Sequence, residues 1–223
     1  MFDSATLAER GYVVAPRLID PDICHSLAGT WPDRARFRSH VVMQRHGFGQ
    51  GEYQYFAYPL PEPVERLRQA LYPALARVAN LWNEQIGIPR RFPAALPAWL
   101  EQCHQGGQKR PTPLLLRYGA GDYNCLHRDL YGDLVFPLQA TLLLSDPGHD
   151  FEGGEFLLVE QRPRMQSRGE VVRLGQGDAV IFAVNERPVK GTRGFYRTAM
   201  RHGVSTVRHG QRFTLGIIFH DAA

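Results

Sequence analysis

His127-Arg128-Asp129 places an imidazole and a carboxylate two residues apart, which in an extended strand puts both side chains on one face. Such a pair needs a third ligand from elsewhere in the chain to hold a metal. His202, within Arg201-His202-Gly203-Val204, offers one at the start of the penultimate expected strand. Two histidines and one carboxylate on one face of an iron leave three positions open, as oxygen-activating sites require. His-x-Asp alone recurs by chance, and a lone histidine is more often structural. Arg212 adds weight, because a guanidinium near the metal grips the far carboxylate of a dicarboxylate with two charge-assisted bonds. The plain alternative for Arg212 is a strand-edge arginine in a surface ion pair.

The elements that must carry these groups are strands. After Pro111 the pattern turns to β, with strand candidates at residues 114–118, 123–127, 134–144, 155–159, 170–174, 178–182, 198–207 and 212–220. Turns such as Gly119-Ala120-Gly121, Asp146-Pro147-Gly148, Gly153-Gly154 and Gly175-Gln176-Gly177 separate them. About eight short strands at this spacing imply a sandwich or barrel. Parity in the last strand puts Phe213, Leu215, Ile217 and Phe219 on an apolar face suited to helices, and Arg212, Thr214, Gly216 and Ile218 on a face with room for a ligand. For His202 to share that inner face, a hairpin at His209-Gly210 needs a three-residue or bulged connection, since a two-residue loop would turn His202 away.

Before Pro111 helical signals dominate. Asp20-Pro21 reads as an N-cap and first helical residue opening a helix towards Trp31. Residues 62–86 carry apolar side chains at helical spacing, with Pro73 a kink position, and residues 97–105 form a further short helix. Segments 37–43 and 52–56 flank the glycine-rich turn 47–51 as a hairpin. The expectation is one α+β domain over 1–223, with 1–110 as mainly helical support and 111–223 as the jelly-roll catalytic core.

Composition sets milder bounds. The chain has 223 residues, 43% of them hydrophobic, with net charge +4 and a pI near 9.1. That charge permits a polyanionic partner without demanding one. Lys109 and Lys190 are the only lysines, so the basic residues are almost all arginine, which suits phosphate and carboxylate recognition but equally follows from GC-rich codon usage. Cys24, Cys103 and Cys125 form no C-x-x-C pair, so neither a disulfide framework nor a zinc knuckle is indicated. Cys125 reads as a small buried hydrophobe. Residues 1–11 lack the apolar core of a signal peptide and no run approaches a membrane span, so the expectation is a soluble, cytoplasmic protein of open oligomeric state.

The ordered set Tyr118-x-x-Gly121, His127-x-Asp129, Gly153-Gly154-Glu155-Phe156, Gly177-Asp178-Ala179-Val180-Ile181-Phe182, His202 and Gly210-x-Arg212 resembles the 2-oxoglutarate/Fe(II) oxygenase superfamily. Phe151-Glu152-Gly153-Gly154-Glu155 is similar to the prolyl 4-hydroxylase branch, and Leu116-Arg117-Tyr118-Gly119-Ala120-Gly121 looks like the matching segment of AlkB-type nucleic-acid demethylases. Segments from Arg45-His46-Gly47-Phe48-Gly49 through Arg110-Pro111-Thr112-Pro113-Leu114 and residues 160–168 to Gly216-Ile217-Ile218-Phe219-His220-Asp221 resemble a bacterial subgroup described as acting on damaged DNA. The resemblance implies a double-stranded β-helix of jelly-roll, cupin-like form. It also implies Fe(II) on His127, Asp129 and His202, 2-oxoglutarate as co-substrate with its C5 carboxylate on Arg212, and dioxygen. Tyr118 and Thr214 would help hold that carboxylate, with barrel filling the alternative for Tyr118.

Three substrate readings follow. For nucleic acid, Arg34, Arg36, Arg38, Arg45 and His46 lie beside Phe48, Tyr53, Tyr55 and Phe56, a mix able to engage phosphates and stack a single-stranded or flipped base. Asn124 would face the pocket, and a second basic stretch runs through Arg187, Lys190, Arg193, Arg197 and Arg201. Charge-rich loops are, however, usually only solvated. For a peptide or small-molecule hydroxylase, the Glu-Gly-Gly-Glu similarity and the low net charge speak. A jelly-roll sensor without turnover is the third reading, disfavoured by a full ligand triad beside an arginine. The remaining histidines read as structural or surface residues.

Overall fold

The computed structural model describes residues 2–130 and 132–223. Helix α1 (Ser4–Arg10) starts where the Asp3 carboxylate accepts the Ala5 and Thr6 amides, and it stops at Gly11 in the left-handed region. Of the N-terminal segment, Met1 lies outside the described residues. Strand β1 (Tyr12–Ala15) follows, then α2 (Pro21–Gly29) with proline in its first turn; Asp20 precedes it but makes no side-chain capping bond. Strands β2 (Phe37–Val42), β3 (Gly49–Gln50) and β4 (Glu52–Phe56) come next, then α3 (Glu62–Gln85), which runs through Pro73, and α4 (Leu96–Gln105). As the pairing of turn signals implies, β2 and β4 form an antiparallel pair, from Val42 opposite Glu52 to Phe37 opposite Phe56.

The second half supplies β5 (Leu114–Tyr118), β6 (Tyr123–His127), β7 (Leu138–Leu143), β8 (Phe151–Gly153), β9 (Phe156–Gln161) and β10 (Arg168–Val172). It ends with β11 (Ala179–Ala183), β12 (Glu186–Gly191), β13 (Gly194–Val204), β14 (Val207–Gly210) and β15 (Arg212–Ile218). Two sheets result. The larger runs β1-β11-β7-β15-β5-β4-β2, and the smaller runs β10-β9-β13-β6-β3 with β12 on β13. This is the α+β double-stranded β-helix with N-terminal helices. Strands β1, β2 and β4 extend the larger sheet, so the N-terminal half contributes strands to the core as well as helical support.

Alternation in β15 decides what each sheet face meets. Leu215, Ile217 and Phe219 are fully buried in one cluster with Leu71, Tyr72, Leu75 and Trp82 of α3. The Phe219 ring lies 5.6 Å from Phe136 and 6.3 Å from Tyr72. Arg68 of α3 is wholly buried as well, donating through Nε to the Ile218 carbonyl at 2.9 Å and through Nη2 to Asp221 at 2.8 Å. Asp221 also accepts from the Tyr58 hydroxyl and meets His104 Nε2, both at 2.8 Å. A buried charge so fully engaged ties the end of the last strand to the helical layer. Among the described residues no helix is long and apolar enough to cross a membrane.

One expectation is overturned. His202 and Arg212 are not joined by a hairpin, because β13 belongs to the smaller sheet and β15 to the larger. The chain between them crosses from sheet to sheet, and its middle, β14, pairs with β8 instead. The two side chains share an interior because the sheets face each other, so turn parity is irrelevant to their meeting. A bulge does occur nearby, but in β6: His202 pairs with His127 and Val204 with Asn124, so two steps on β13 match three on β6.

Candidate active site

That bulge builds the metal end of the site. The extra residue lets Asn124 and His127 both face the interior, and it turns Cys125 and Leu126 to the outside. Cys125 is therefore exposed rather than the buried hydrophobe its small size suggested. Gly203 allows the close approach of the two strands, since a Cβ there would stand 2.7 Å from the Asn124 carbonyl oxygen. The rings of His127 and His202 come to 4.1 Å centroid to centroid. Asp129 lies between them, one oxygen 3.4 Å from His127 Nε2 and the other 3.4 Å from His202 Nε2. The three ligand atoms all fall within 4.8 Å of one another.

The electrostatics suit a cation. Burial alone would push the Asp129 carboxyl up, yet the two imidazoles hold it well below the ordinary carboxylate range. For His202, burial dominates and lowers its pKa, with His127 adding to the effect. Burial is the largest single influence on His127 and works against its charged form, but the hydrogen bond and charge of Asp129 together with the Cys125 carbonyl outweigh it, and the pKa is raised. His127 Nδ1 lies 2.8 Å from the Cys125 carbonyl, which fixes Nδ1 as the donor and leaves Nε2 a lone pair for a metal.

At the other end of a shared cavity of about 190 Å³ stands Arg212. It is 2% exposed, and its Nε and Nη1 have no hydrogen-bond partner among the described residues. Its guanidinium lies 5.6 Å from the Tyr118 ring and 5.8 Å from the Phe151 ring, and among the described residues no carboxylate forms an ion pair with it. Burial lowers its pKa to about 10. A buried cation with unmet donors is costly, so it calls for an anion from outside the chain. Tyr118, directly opposite Arg212 on β5, is wholly buried, with its pKa pushed up to about 12 by burial, and its hydroxyl accepts from Asn124 Nδ2 at 3.3 Å. Thr214 lies one alternation along β15 on the same inner face and lines the cavity. Two imidazoles and a carboxylate converging at one end, with an unsatisfied guanidinium at the other, fit an iron(II) ion and the dicarboxylate 2-oxoglutarate.

The remaining sequence candidates divide. Tyr53 and Asn124 line the cavity, as does Phe48, which is 47% exposed at its rim and stacks on His46 at 5.3 Å. Arg45 is exposed in the same turn. Tyr55 is buried beneath the Arg38 guanidinium in a cluster with Leu114 and Ile218, and it does not line the cavity. Phe56 is core. Arg34 and Arg36 are engaged by Gln54 and Asp33, and Arg38 donates to the Pro111 carbonyl. Arg187 is buried, bonded to Glu160 and to the Glu9 carbonyl, so it is no part of a basic surface. Arg197 pairs with Glu186 at 3.6 Å, outside the cavity. Sequence reasoning missed Gln139 and Thr141, which face the cavity from β7; their alternation inside an apolar run was the available signal.

The comparisons agree with this geometry. The family model Oxygenase-NA, described as "Oxygenase, catalysing oxidative methylation of damaged DNA", matches residues 51–222. "Uncharacterized protein Rv2227" of Mycobacterium tuberculosis (strain ATCC 25618 / H37Rv) is 52% identical over 168 residues, which is 75% of this chain and 72% of that protein. Among solved structures, a Pseudomonas putida prolyl-4-hydroxylase superposes with TM-score 0.56 at 15% identity, covering 99% of this chain and 97% of that one. A 2OG-Fe(II) family oxidoreductase from Burkholderia pseudomallei gives TM-score 0.55 at 17% identity, with 99% and 90% covered. Fold, ligand constellation and family match converge: the chain belongs to the Oxygenase-NA family, and it is an iron(II)- and 2-oxoglutarate-dependent oxygenase.

Proposed function

We propose that the protein oxidises a methylated, single-stranded or flipped-out base of nucleic acid, with His127, Asp129 and His202 holding the iron and Arg212, Tyr118 and Thr214 holding 2-oxoglutarate. The observation that carries the substrate class is the rim of the cavity. Phe48, half exposed and stacked on His46 beside Arg45, offers an aromatic platform next to a cation, the pairing that grips an unstacked base and its phosphate. The family's description as acting on damaged DNA supports the same substrate.

When bound, iron and 2-oxoglutarate turn dioxygen into an oxidant strong enough to attack a C–H bond, with succinate and carbon dioxide as co-products. The chain's own groups do the rest. Asp129 and the two histidines fix the ligand face, Arg212 neutralises and orients the co-substrate, and the buried walls keep bulk water from the oxidant. Oxygen inserted into an N-methyl C–H bond gives an N-hydroxymethyl group, which collapses to formaldehyde and a free N–H. An oxidation of this kind removes a methyl group rather than installing one. The decisive experiment presents methylated single-stranded oligonucleotides and proline-containing peptides in parallel, with formaldehyde and mass read out. Formaldehyde from an oligonucleotide supports the proposal, and hydroxylation confined to peptides defeats it. The peptide arm is included because Tyr123 and Leu126 of β6 and Leu130 just beyond it are exposed apolar side chains, and the fold is shared with a prolyl-4-hydroxylase.

A further inference from the structure

We propose that Gln139 reads the polar edge of the base being oxidised; this rests on the nucleic-acid reading above. Gln139 is 4% exposed, lines the catalytic cavity, and its side-chain oxygen has no hydrogen-bond partner among the described residues. It lies on β7, whose alternation sends Gln139, Thr141 and Leu143 to one face. Cross-strand register places Gln139 between Ile218 of β15 and Phe182 of β11. The Phe182 ring packs 4.6 Å from that of His202, so this rung of the sheet borders the metal end.

Position excludes a co-substrate role. Ile218 is six residues past Arg212 on the same strand, about 20 Å at the usual rise of ~3.4 Å per residue. A five-carbon dicarboxylate held by Arg212 would span only part of that length. The amide therefore stands on the part of the cavity left for the molecule being oxidised. Folding gains nothing from it, because an apolar side chain of similar size would pack between Ile218 and Phe182 without an unmet polar atom. A carboxamide presents a donor and an acceptor side by side and rotates to offer either order, which matches the paired donor and acceptor on a nucleobase edge.

The test compares wild type, Gln139→Leu and Gln139→Glu on two single-stranded oligonucleotides of matched sequence. One carries an N-methylated base with an exocyclic amino group, the other an N-methylated base with carbonyls only. Gln139→Leu should lower kcat/KM on the preferred oligonucleotide roughly ten- to a hundred-fold, the discrimination one bidentate amide–base contact supplies, while the melting temperature holds or rises. Gln139→Glu, which only accepts when ionised, should move the amino-to-carbonyl ratio of kcat/KM towards the amino base by about ten-fold. A falling melting temperature in Gln139→Leu with unmoved kcat/KM would make Gln139 a packing residue and overturn the assignment, as would ratios unchanged in both variants. Wild-type turnover confined to peptides would instead remove the substrate class, and the base-reading role with it.

Discussion

His202 and His127 are direct cross-strand partners in the smaller sheet, with the bulge in β6 immediately beside them. Their rings are held 4.1 Å apart by backbone pairing, and Phe156 and Phe182 pack on the other side of His202. The two imidazoles are thus placed by sheet register and aromatic packing before any metal arrives. Asp129, two residues past His127, completes the face. Preorganisation of this kind lets a metal bind without first ordering its ligands.

Asp129→Asn keeps the shape and loses the charge between the imidazoles. Metal affinity should fall by more than the roughly 10–100-fold typical when an outer-shell partner is lost. Anaerobic calorimetry with Fe(II), or with Mn(II) as a stand-in, measures it. Secondary structure by circular dichroism should be retained. Unchanged affinity would remove Asp129 from the ligand set.

Arg212→Met should separate function from stability. The substitution removes a buried cation with two unmet donors, so the unfolding free energy should rise by about 1–3 kcal/mol. On the proposed assignment the same change removes the counter-ion of 2-oxoglutarate, and its KM should rise by at least about a hundred-fold. Chemical denaturation and succinate release read the two effects. If stability drops instead, the guanidinium has a partner within the fold and its role as an anion receptor is mistaken.

How far the sequence discloses this site depends on which rule governs each residue. Period-two alternation placed Arg212, Thr214 and Gly216 on one face, because both faces of β15 are buried against chemically different neighbours. His127 and Asp129 followed from the same rule at the strand's end. The route from His202 to Arg212 was not legible, since His209-Gly210 looks like a hairpin turn and only the sheet-to-sheet crossing reveals otherwise. Cys125 was misplaced because a bulge shifts parity without leaving a mark in composition. Gln139 and Thr141 sit inside an apolar stretch, where their alternation is the one mark of a polar inner face. Arg187 and Tyr55 differ from expectation for a shared reason: sequence shows charge and aromaticity, but not which neighbour covers them.

Gly154 offers a test of how Arg212 is held. Its φ is +61°, and a Cβ would stand 2.8 Å from Arg212 Cδ and 2.9 Å from Val207 Cγ2. Gly154→Ala should cost about 1–3 kcal/mol of stability from the left-handed backbone and the contact. It should also raise the KM for 2-oxoglutarate by displacing the guanidinium. A variant with normal KM would show that Arg212 tolerates the shift and that Gly154 serves the turn alone.

Acid stability should depend on His220. It is 1% exposed, its Nδ1 accepts from the Phe136 amide at 3.2 Å, and burial lowers its pKa to about 4. The fold therefore favours the neutral ring, while the unfolded chain binds a proton near pH 6.5. Stability from this group is present above pH 6.5 and is lost as the pH falls towards 4, by about 3 kcal/mol in all. His220→Asn keeps an acceptor and removes the titration. Urea denaturation at pH 7 and pH 4.5 should show a smaller acid loss in the variant than in wild type, and equal losses would refute the linkage.

The rim of the cavity makes a prediction about binding alone. If Phe48 stacks a base and Arg45 meets a phosphate, the affinity for a short single-stranded oligonucleotide should fall steeply as salt rises. Phe48→Ala should weaken binding by about 1–3 kcal/mol at any one salt concentration, since stacking is not screened. Arg45→Ala should instead lower the slope of log Kd against log salt by about one, the mark of a lost phosphate contact. Fluorescence anisotropy over a salt series distinguishes the two effects. Binding that is absent, or indifferent to salt and to both substitutions, would leave the aromatic rim without a nucleic-acid role and favour the peptide reading.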